Sequence, residues 1–370
     1  MKKIIVESPG RINLIGEHVD YNGGFVLPAS IDKKITIYFN SVTKNECHIE
    51  SQTLNKSFTI NLKKISKSKI KWENYIIGIL YNLIVLMNLK IKAFDCKIVS
   101  NLPIGAGISS SSSLICGLLS GLNYLNNLKL SSNQIVDIAS DVEHNFIGLN
   151  GGIMDQFTIV NGRKNKLLLL NCQNRNFKYI SSEFKPYKIV LFDTKVEHNL
   201  ADSLYNKRVE ECKEVLKIIN KKYNKYNYLV DVEEKVLYEF KNILKEKIYN
   251  RALFVIQENK RSLDSASKLN ELKIKEFGEF MYDSHFGLKN LYDVSCKELD
   301  FLVDFTLEYK EVVGSRMMGG GFGGCTINLI KENFIDDFIK LISVAYLNKF
   351  NIELNVIRVK IGNGLSIKNN

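Results

Sequence analysis

The 370-residue sequence predicts an α+β fold made of two lobes. In both halves of the chain, β-branched runs typical of strands are mixed with segments of helical periodicity. A content of 45% hydrophobic and 25% charged residues, with only four prolines, describes a globular chain that can bury a large core. This length favours two domains over one, and we predict lobes of residues 1–178 and 179–370, with a last strand that could return to the first lobe.

Strands come first along the amino-terminal half. The predicted order is strands over residues 33–42, 47–51 and 58–62, a helix over 72–89, a strand over 93–100, and a helix from the serine cluster toward residue 124. A third helix has clear ends, because Ser131 and Gln134 have the spacing of a capping box and Gly148 can terminate it.

The second half opens with an apolar strand over residues 187–194. The helix that follows carries one apolar stripe, formed by Tyr205, Val209, Cys212, Leu216 and Ile219. Two further strands are predicted over residues 325–330 and 355–361, with a helix over 333–350 between them.

Charge and cysteine content argue against several classes of protein. The net charge of +11 is spread along the chain, and the one basic segment, Lys63–Trp72, has no nucleic-acid recognition motif beside it, so we interpret it as a solvated surface. Seven cysteines without a C-x-x-C pair indicate neither a disulfide framework nor a zinc site, which suits the reducing cytoplasm. No nucleic-acid partner is expected.

Hydrophobic segments do not indicate a membrane role. The start, MKKIIVESPG, has too few apolar residues for a signal peptide. The most apolar segment, residues 75–89, is interrupted by Asn82 and Asn88 and is shorter than a bilayer span, so it is predicted to be a buried helix.

A phosphate-binding loop is predicted within residues 101–122, NLPIGAGISSSSSLICGLLSGL. There a strand ends, Gly105 and Gly107 permit a tight turn, and five serines open an apolar helix. A helix amino terminus presents unpaired N–H groups and a positive dipole end, and glycines let a phosphate approach the backbone. The common P-loop is excluded because the sequence contains no Gly-Lys dipeptide.

A second glycine cluster begins at Gly314, GSRMMGGGFGGCTINLI, and includes G-x-G-x-x-G at Gly319, Gly321 and Gly324. A dinucleotide fold requires that motif between a strand and a helix, whereas a strand follows it here. We therefore predict a backbone segment that approaches either a ligand or the phosphate loop of the other lobe.

Two acidic residues stand near these loops. Glu143 lies late in the third helix, and Asp155 follows it by twelve residues, just after the Gly151-Gly152 pair. A lone glutamate on a helix usually faces solvent, but Mg²⁺ bound to ATP takes carboxylate and hydroxyl oxygens as ligands. The motifs of protein kinases, H-R-D, D-F-G and V-A-I-K, are absent from the sequence.

Residues 9–24, PGRINLIGEHVDYNGG, are interpreted as a loop dense in charge and turn formers. Glu17, His18 and Asp20 offer several hydrogen-bond donors and acceptors within a few residues, as gripping a polyhydroxylated ligand requires, and Arg11 places a fixed cation nearby.

Four of these segments, PGRINLIGEHVDYNGG, PIGAGISSSSSL, GGIMDQF and GSRMMGGGFGGC, resemble successive motifs of the galactokinases. These belong to the GHMP small-molecule kinase superfamily, which also holds homoserine, mevalonate and phosphomevalonate kinases. Further stretches, WENYIIG, VEHNF, HNLADSLYNKR and SHFGLKNLYDVSCKELD, extend the resemblance over nearly the whole chain. It implies an amino-terminal lobe like ribosomal S5 domain 2, a carboxy-terminal ferredoxin-like lobe, and an active site in the cleft between them.

The resemblance also implies a reaction and a set of residues. The reaction is MgATP-dependent transfer of a phosphoryl group to the C1 hydroxyl of galactose, in a cytoplasmic enzyme expected to be a monomer. Asp155 would be the base, with Arg11 orienting it. The implied sugar contacts are Glu17, His18, Asp20, Gly152, Asp155 and Tyr205. The implied ATP contacts are Trp72, Gly105, Gly107, Ser109, Ser110 and Ser111, and Mg²⁺ would lie between Ser110 and Glu143.

Alternatives remain open for several of these residues. A core position is the default for Tyr205 on its apolar stripe, and Trp72, the only tryptophan, could equally anchor its helix. Met318 stands where threonine is usual in the family, Val209 where arginine is usual, and Phe254 where histidine is common.

Rival functions are a non-catalytic galactose sensor and a kinase for a related sugar such as N-acetylgalactosamine. In such sensors the serine loop is shortened, whereas it has full length here. Specificity among sugars depends on pocket shape, which the sequence discriminates weakly.

Overall fold

The computed structural model describes residues 3–43, 45–103, 105–197 and 201–369. Its strands are β1 (Lys3–Asn13), β2 (Phe25–Val26), β3 (Pro28–Ser41), β4 (Glu46–Ser51), β5 (Lys56–Asn61), β6 (Phe94–Ser100), β7 (Lys166–Asn171), β8 (Phe177–Ser181), β9 (Tyr187–Glu197), β10 (Val312–Met317), β11 (Gly323–Lys331), β12 (Asn355–Arg358) and β13 (Ser366–Asn369). The start of the HNLADSLYNKR motif, residues 198–200, and residue 104 lie outside the described ranges.

Helices cover the sheets. They are α1 (Lys71–Leu80), α2 (Ser110–Asn126), α3 (Ser132–Asp141), α4 (Met154–Asn161), α5 (Ala201–Tyr223), α6 (Glu234–Tyr238), α7 (Glu246–Asn270), α8 (Ile274–Gly287), α9 (Lys297–Thr306) and α10 (Ile335–Phe350). Short π-helical segments continue α1 to Leu86, α3 to Ile147 and α8 to Tyr292. None of the helices in the described ranges combines the length and the hydrophobicity that a bilayer crossing requires.

Three sheets organise these strands. A six-stranded sheet has the order β13-β1-β3-β6-β4-β5, and a four-stranded sheet has the order β10-β11-β9-β12. A third, small sheet has the order β2-β7-β8. The predicted division after residue 178 falls within β8, and where the chain divides stays a prediction.

The ends of the chain meet in the large sheet. β13 pairs antiparallel with β1, so that Val6 lies opposite Ile367. The predicted strand over 355–361 is shorter than expected: β12 ends at Arg358, and an isolated bridge then joins Ile361 to Ile31.

Helix α2 packs its buried face against β1 and β3, while α8 packs against β10 and α7. The predicted capping box begins α3, since the Ser131 hydroxyl accepts the Gln134 N–H and the Gln134 side chain accepts the Ser131 N–H. Gly148 adopts the left-handed conformation that ends the π-helical continuation of this helix. These elements bring the amino end of α2, the end of β1 and the loop after β10 to one place.

Candidate active site

A cavity of about 200 Å³ lies where these segments meet. Most of the predicted sugar, catalytic and metal residues line it, namely Arg11, Glu17, His18, Asp20, Glu143, Gly152, Asp155 and Tyr205. The glycine loop after β10 closes one side with residues 319–322. Arg11 and Phe322, which are 311 positions apart in the sequence (322 − 11), therefore share one concave surface.

Arg11 and Asp155 form a two-pronged ion pair. Arg11 Nε lies 2.7 Å from Asp155 Oδ1, and Arg11 Nη2 lies 2.9 Å from Oδ2. The interpretation of residues 9–24 as one loop is wrong at its start, because Arg11 lies in β1, where sheet pairing fixes its backbone. Burial would lower the pKa of Arg11, but the nearby carboxylates of Asp155 and Glu17 raise it above its ordinary value.

The same arginine contacts the phosphate loop. Arg11 Nη1 donates to the Gly107 carbonyl at 2.6 Å, and the Arg11 N–H donates to the Ile108 carbonyl at 3.1 Å. Ser109, from the same loop, donates its hydroxyl proton to Asp155 Oδ2. The predicted base and the predicted phosphate loop are thus joined by direct contacts.

Glu17 is fixed from the opposite lobe. Its Oε1 accepts the N–H of Gly319 at 2.8 Å and lies 3.3 Å from the guanidinium of Arg316. Arg316 is fully buried in β10 and was not predicted from the sequence. Only its place in the segment GSRMMGGGFGGC could have indicated that Arg316 lies near the site.

His18 has both ring nitrogens engaged within the protein. Nε2 lies 3.2 Å from the Gly320 carbonyl, so Nε2 carries the proton, and Nδ1 accepts from the Tyr21 hydroxyl at 2.8 Å. Burial lowers the pKa of His18 to about 3, so the ring is neutral. The side chain therefore presents its ring rather than a free nitrogen to the cavity.

Asp20 and Gly152 are in close contact. A Cβ at Gly152 would overlap the Asp20 carboxylate, which explains the glycine. Burial, reinforced by the charge of Asp155, raises the pKa of Asp20 to about 7. Tyr205 borders the same cavity rather than the hydrophobic core, with its ring 5.3 Å from that of His18.

The two glycine clusters meet beside the amino end of α2. Gly107 and Gly319 have φ values of 68° and 87°, and a Cβ at Gly319 would lie 3.3 Å from the Gly107 carbonyl. The second cluster was predicted to approach either a ligand or the phosphate loop, and the structure shows that it approaches the phosphate loop. Ser109, also left-handed at φ 59°, precedes Ser110 and Ser111 in the first turn of α2.

Glu143 lies at the buried end of this turn. Its carboxylate accepts the Ser112 hydroxyl at 2.7 Å and the Gln156 amide at 2.6 Å. Burial raises the pKa of Glu143 to about 7, because the negative charge of its carboxylate is poorly solvated there. A bound cation would stabilise that charge. Ser112 and Ser111 are the serines hydrogen-bonded to Glu143, whereas Ser110, the predicted ligand, begins the same turn. One carboxylate and serine oxygens fit Mg²⁺ that arrives with phosphates.

Trp72 lies outside the lining of this cavity. It packs edge-on against Phe58 with ring centroids 4.9 Å apart, at the border of the large core. Its buried indole N–H has no hydrogen-bond partner among the residues that the structure describes. Its role beside the adenine stays a prediction.

Comparison with known proteins adds three family matches. The galactokinase galactose-binding signature matches residues 1–41, the GHMP kinases N terminal domain matches residues 74–163, and the GHMP kinases C terminal family matches residues 265–337. Together they include β1 with Arg11, the phosphate loop, Asp155 and the α8 to β11 region.

Curated relatives match over nearly the full length. The galactokinase of Clostridium acetobutylicum is 37% identical, over 96% of this chain and 92% of its own. That of Thermosipho africanus is 36% identical, over 98% of this chain and 99% of its own.

Solved structures agree with this assignment. Lactococcus lactis galactokinase complexed with galactose has a TM-score of 0.93 at 30% identity, covering 98% of this chain and 95% of its own. The mevalonate kinase of Methanococcus jannaschii, at 24% identity and a TM-score of 0.69, shares the fold alone. The chain therefore belongs to the galactokinase family of the GHMP kinases and has their two-lobed fold.

Proposed function

We propose that this protein phosphorylates galactose at its C1 hydroxyl with ATP, giving galactose 1-phosphate and ADP. The observation that carries this proposal is the contact of Arg11 with both Asp155 and the phosphate loop. This contact supports a role for the Asp155 carboxylate at the point where a sugar in the cavity and a phosphate on the loop would meet. The family assignment supplies the substrate and the use of ATP.

Asp155 would accept the proton of the sugar hydroxyl. Its Oδ2 already accepts a hydroxyl proton from Ser109, which supports its ability to take one from a substrate in that place. Arg11 fixes the orientation of this carboxylate through two parallel hydrogen bonds. A loose phosphoryl-transfer transition state makes little demand on the basicity of this group, so positioning and electrostatic stabilisation dominate.

The sugar would be held by the acidic side of the cavity. Glu17 and Asp20 would accept hydrogen bonds from hydroxyl groups, and the ring of Tyr205 would pack against the sugar. Gly152 leaves room for Asp20, and His18 braces the glycine loop through Gly320.

ATP would place its phosphates against Gly105, Gly107 and the serines that begin α2, since the first N–H groups of a helix have no acceptor within the helix and bind anions. Glu143 and Ser110 would hold Mg²⁺, which would neutralise phosphate charge. Trp72 would lie near the adenine.

We further propose that the enzyme acts as a cytoplasmic monomer without nucleic-acid or membrane partners.

The test is release of ADP by the purified protein with MgATP and, in turn, galactose, glucose, N-acetylgalactosamine, arabinose and mevalonate, with and without Mg²⁺. Turnover with galactose that requires Mg²⁺ supports the proposal. Background turnover with every sugar, combined with galactose binding, would favour the sensor. Preference for another sugar would favour a related kinase.

A further inference from the structure

We infer that Glu258 in α7 is a positioning residue for the sugar-binding loop, through its contact with Gly16. This inference rests on the proposed function for its effect on galactose, while the contact itself is independent of any ligand. Glu258 does not line the cavity.

Glu258 is a fully buried carboxylate whose two oxygens are both engaged. Oε1 accepts the backbone N–H of Gly16 at 3.0 Å and the hydroxyl of Ser284 at 2.6 Å. Oε2 pairs with Arg261 one turn further along α7. A carboxylate without access to water is costly unless such contacts compensate it, so the arrangement constrains all of its partners.

The next residue of α7 holds the other end of the same loop. Asn259 Oδ1 accepts the N–H of Phe25 at 2.8 Å. Two backbone hydrogen bonds close the base of the loop: the Leu14 N–H donates to the Leu27 carbonyl, and the Leu27 N–H donates to the Ile15 carbonyl, each at 3.1 Å. Adjacent side chains of one helix thus anchor residue 16 and residue 25, and the predicted sugar contacts Glu17, His18 and Asp20 all lie between them.

Gly16 has little freedom to move elsewhere. Its φ is 95°, and a Cβ there would lie 2.8 Å from both the Phe25 carbonyl and the Ser262 hydroxyl. Glu17 follows it directly and must meet the Gly319 N–H in the other lobe. Loss of the Glu258 anchor should therefore displace the Glu17 carboxylate from the sugar while leaving the phosphate loop in place.

The effect should fall on sugar affinity rather than on turnover. Glu258 has no contact with Arg11, Asp155 or the phosphate loop among the interactions of the described residues. A uniform loss of substrate binding raises KM and leaves kcat unchanged. Removing a hydrogen bond to a charged acceptor should raise KM for galactose by about tenfold, with kcat and KM for ATP within about twofold.

The experiment compares Glu258→Ala with Glu258→Gln, which keeps an acceptor for the Gly16 N–H. The matched control is Glu298→Gln, at a buried carboxylate of α9 away from the site. Galactose KM, ATP KM and kcat are measured together with amide hydrogen exchange across residues 14–27 in the free protein. We expect the alanine variant to raise galactose KM and exchange in this loop, the glutamine variant to recover most of both, and the control to change neither.

The exchange measurement separates this inference from the proposed function. Unchanged loop exchange in Glu258→Ala, or an equal rise in the KM of both substrates, would overturn the inference. If the unaltered protein failed to bind galactose, the proposed function would fail, and loop exchange would still decide whether Glu258 is the anchor. If the alanine variant did not fold, Glu258→Asp, whose shorter side chain withdraws the acceptor from the Gly16 N–H, would replace it, and unchanged exchange across residues 14–27 in that variant would overturn the inference.

Discussion

Asp155 receives three hydrogen bonds in this structure, two from Arg11 and one from Ser109. The arginine contacts orient the carboxylate, and the Ser109 hydroxyl donates to its Oδ2. A carboxylate held in a fixed orientation fits the proposed role of Asp155 as proton acceptor.

Asp155→Asn tests this role. The amide keeps the shape and one acceptor but loses the charge and the ability to take a proton, so kcat should fall by about a hundredfold or more. Dissociation constants for ATP and galactose, measured by calorimetry, should change little. Turnover near that of the unaltered enzyme would remove Asp155 from the proton-transfer step.

Asp20 carries a raised pKa of about 7, caused first by burial and then by the charge of Asp155. The folded protein keeps this proton at a pH where the unfolded chain, with an aspartate pKa of about 3.9, has lost it. The free energy of unfolding contributed by Asp20 therefore falls as the pH rises from about 4 to about 7.

Asp20→Asn should remove this pH dependence. In sugar-free protein, the Tm of the variant relative to the unaltered protein should increase by a few degrees between about pH 5 and about pH 8. Thermal unfolding across this range measures it, with Asp283→Asn, at an exposed position of α8, as the control. A Tm difference that stayed constant with pH would contradict the assigned burial of an ionisable Asp20.

At the scale of elements, α8 approaches β10 closely at Gly278. A Cβ at this position would overlap the Val313 carbonyl, a backbone atom that cannot rotate away. Gly278 thus lets the helix lie directly on the strand that leads into the second glycine loop.

Gly278→Ala should be destabilising, although alanine normally stabilises a helix relative to glycine. The overlap should cost about 2 kcal/mol or more because backbone must shift. Glu279→Ala, at the exposed neighbouring position, should change Tm little. Denaturant unfolding of both variants checks this, and a stabilised Gly278→Ala would show that α8 and β10 are further apart than described.

Local patterns predicted the elements with strong local signals. The serine turn that opens α2 and the capping box of α3 are confirmed, because short-range hydrogen bonds and helix ends depend on neighbouring residues. The sequence did not reveal that Arg11 lies in a strand, since its pairing partners in β3 are set by the sheet rather than by its neighbours.

The long-range contacts of the site could not be predicted from local sequence patterns. Arg316 meets Glu17 across 299 positions, and Glu258 meets Gly16 across 242. Helix and strand periodicity relates residues only a few positions apart, so it could predict neither pair. The resemblance to a family supplied residue roles at the cavity, but the anchoring residues behind it became visible only in three dimensions.

At the scale of the whole molecule, the site is assembled from distant parts of the chain. The phosphate loop follows β6 of the six-stranded sheet, and the second glycine loop joins β10 to β11 of the four-stranded sheet. Their contact at Gly107 and Gly319 means that neither sheet alone completes the cavity.

The position of Arg11 between Asp155 and Gly107 has a thermodynamic consequence. A nucleotide that shifts the phosphate loop must also shift Arg11, which is hydrogen-bonded to the Asp155 carboxylate. The nucleotide and the sugar should therefore influence each other's affinity. Calorimetric titration of galactose with and without MgADP should give different dissociation constants, and Arg11→Lys, which cannot reach both partners in the same way, should bring their ratio closer to one. By linkage, the factor by which MgADP changes galactose binding must equal the factor by which galactose changes MgADP binding, so one arginine would make each substrate an effector of the other.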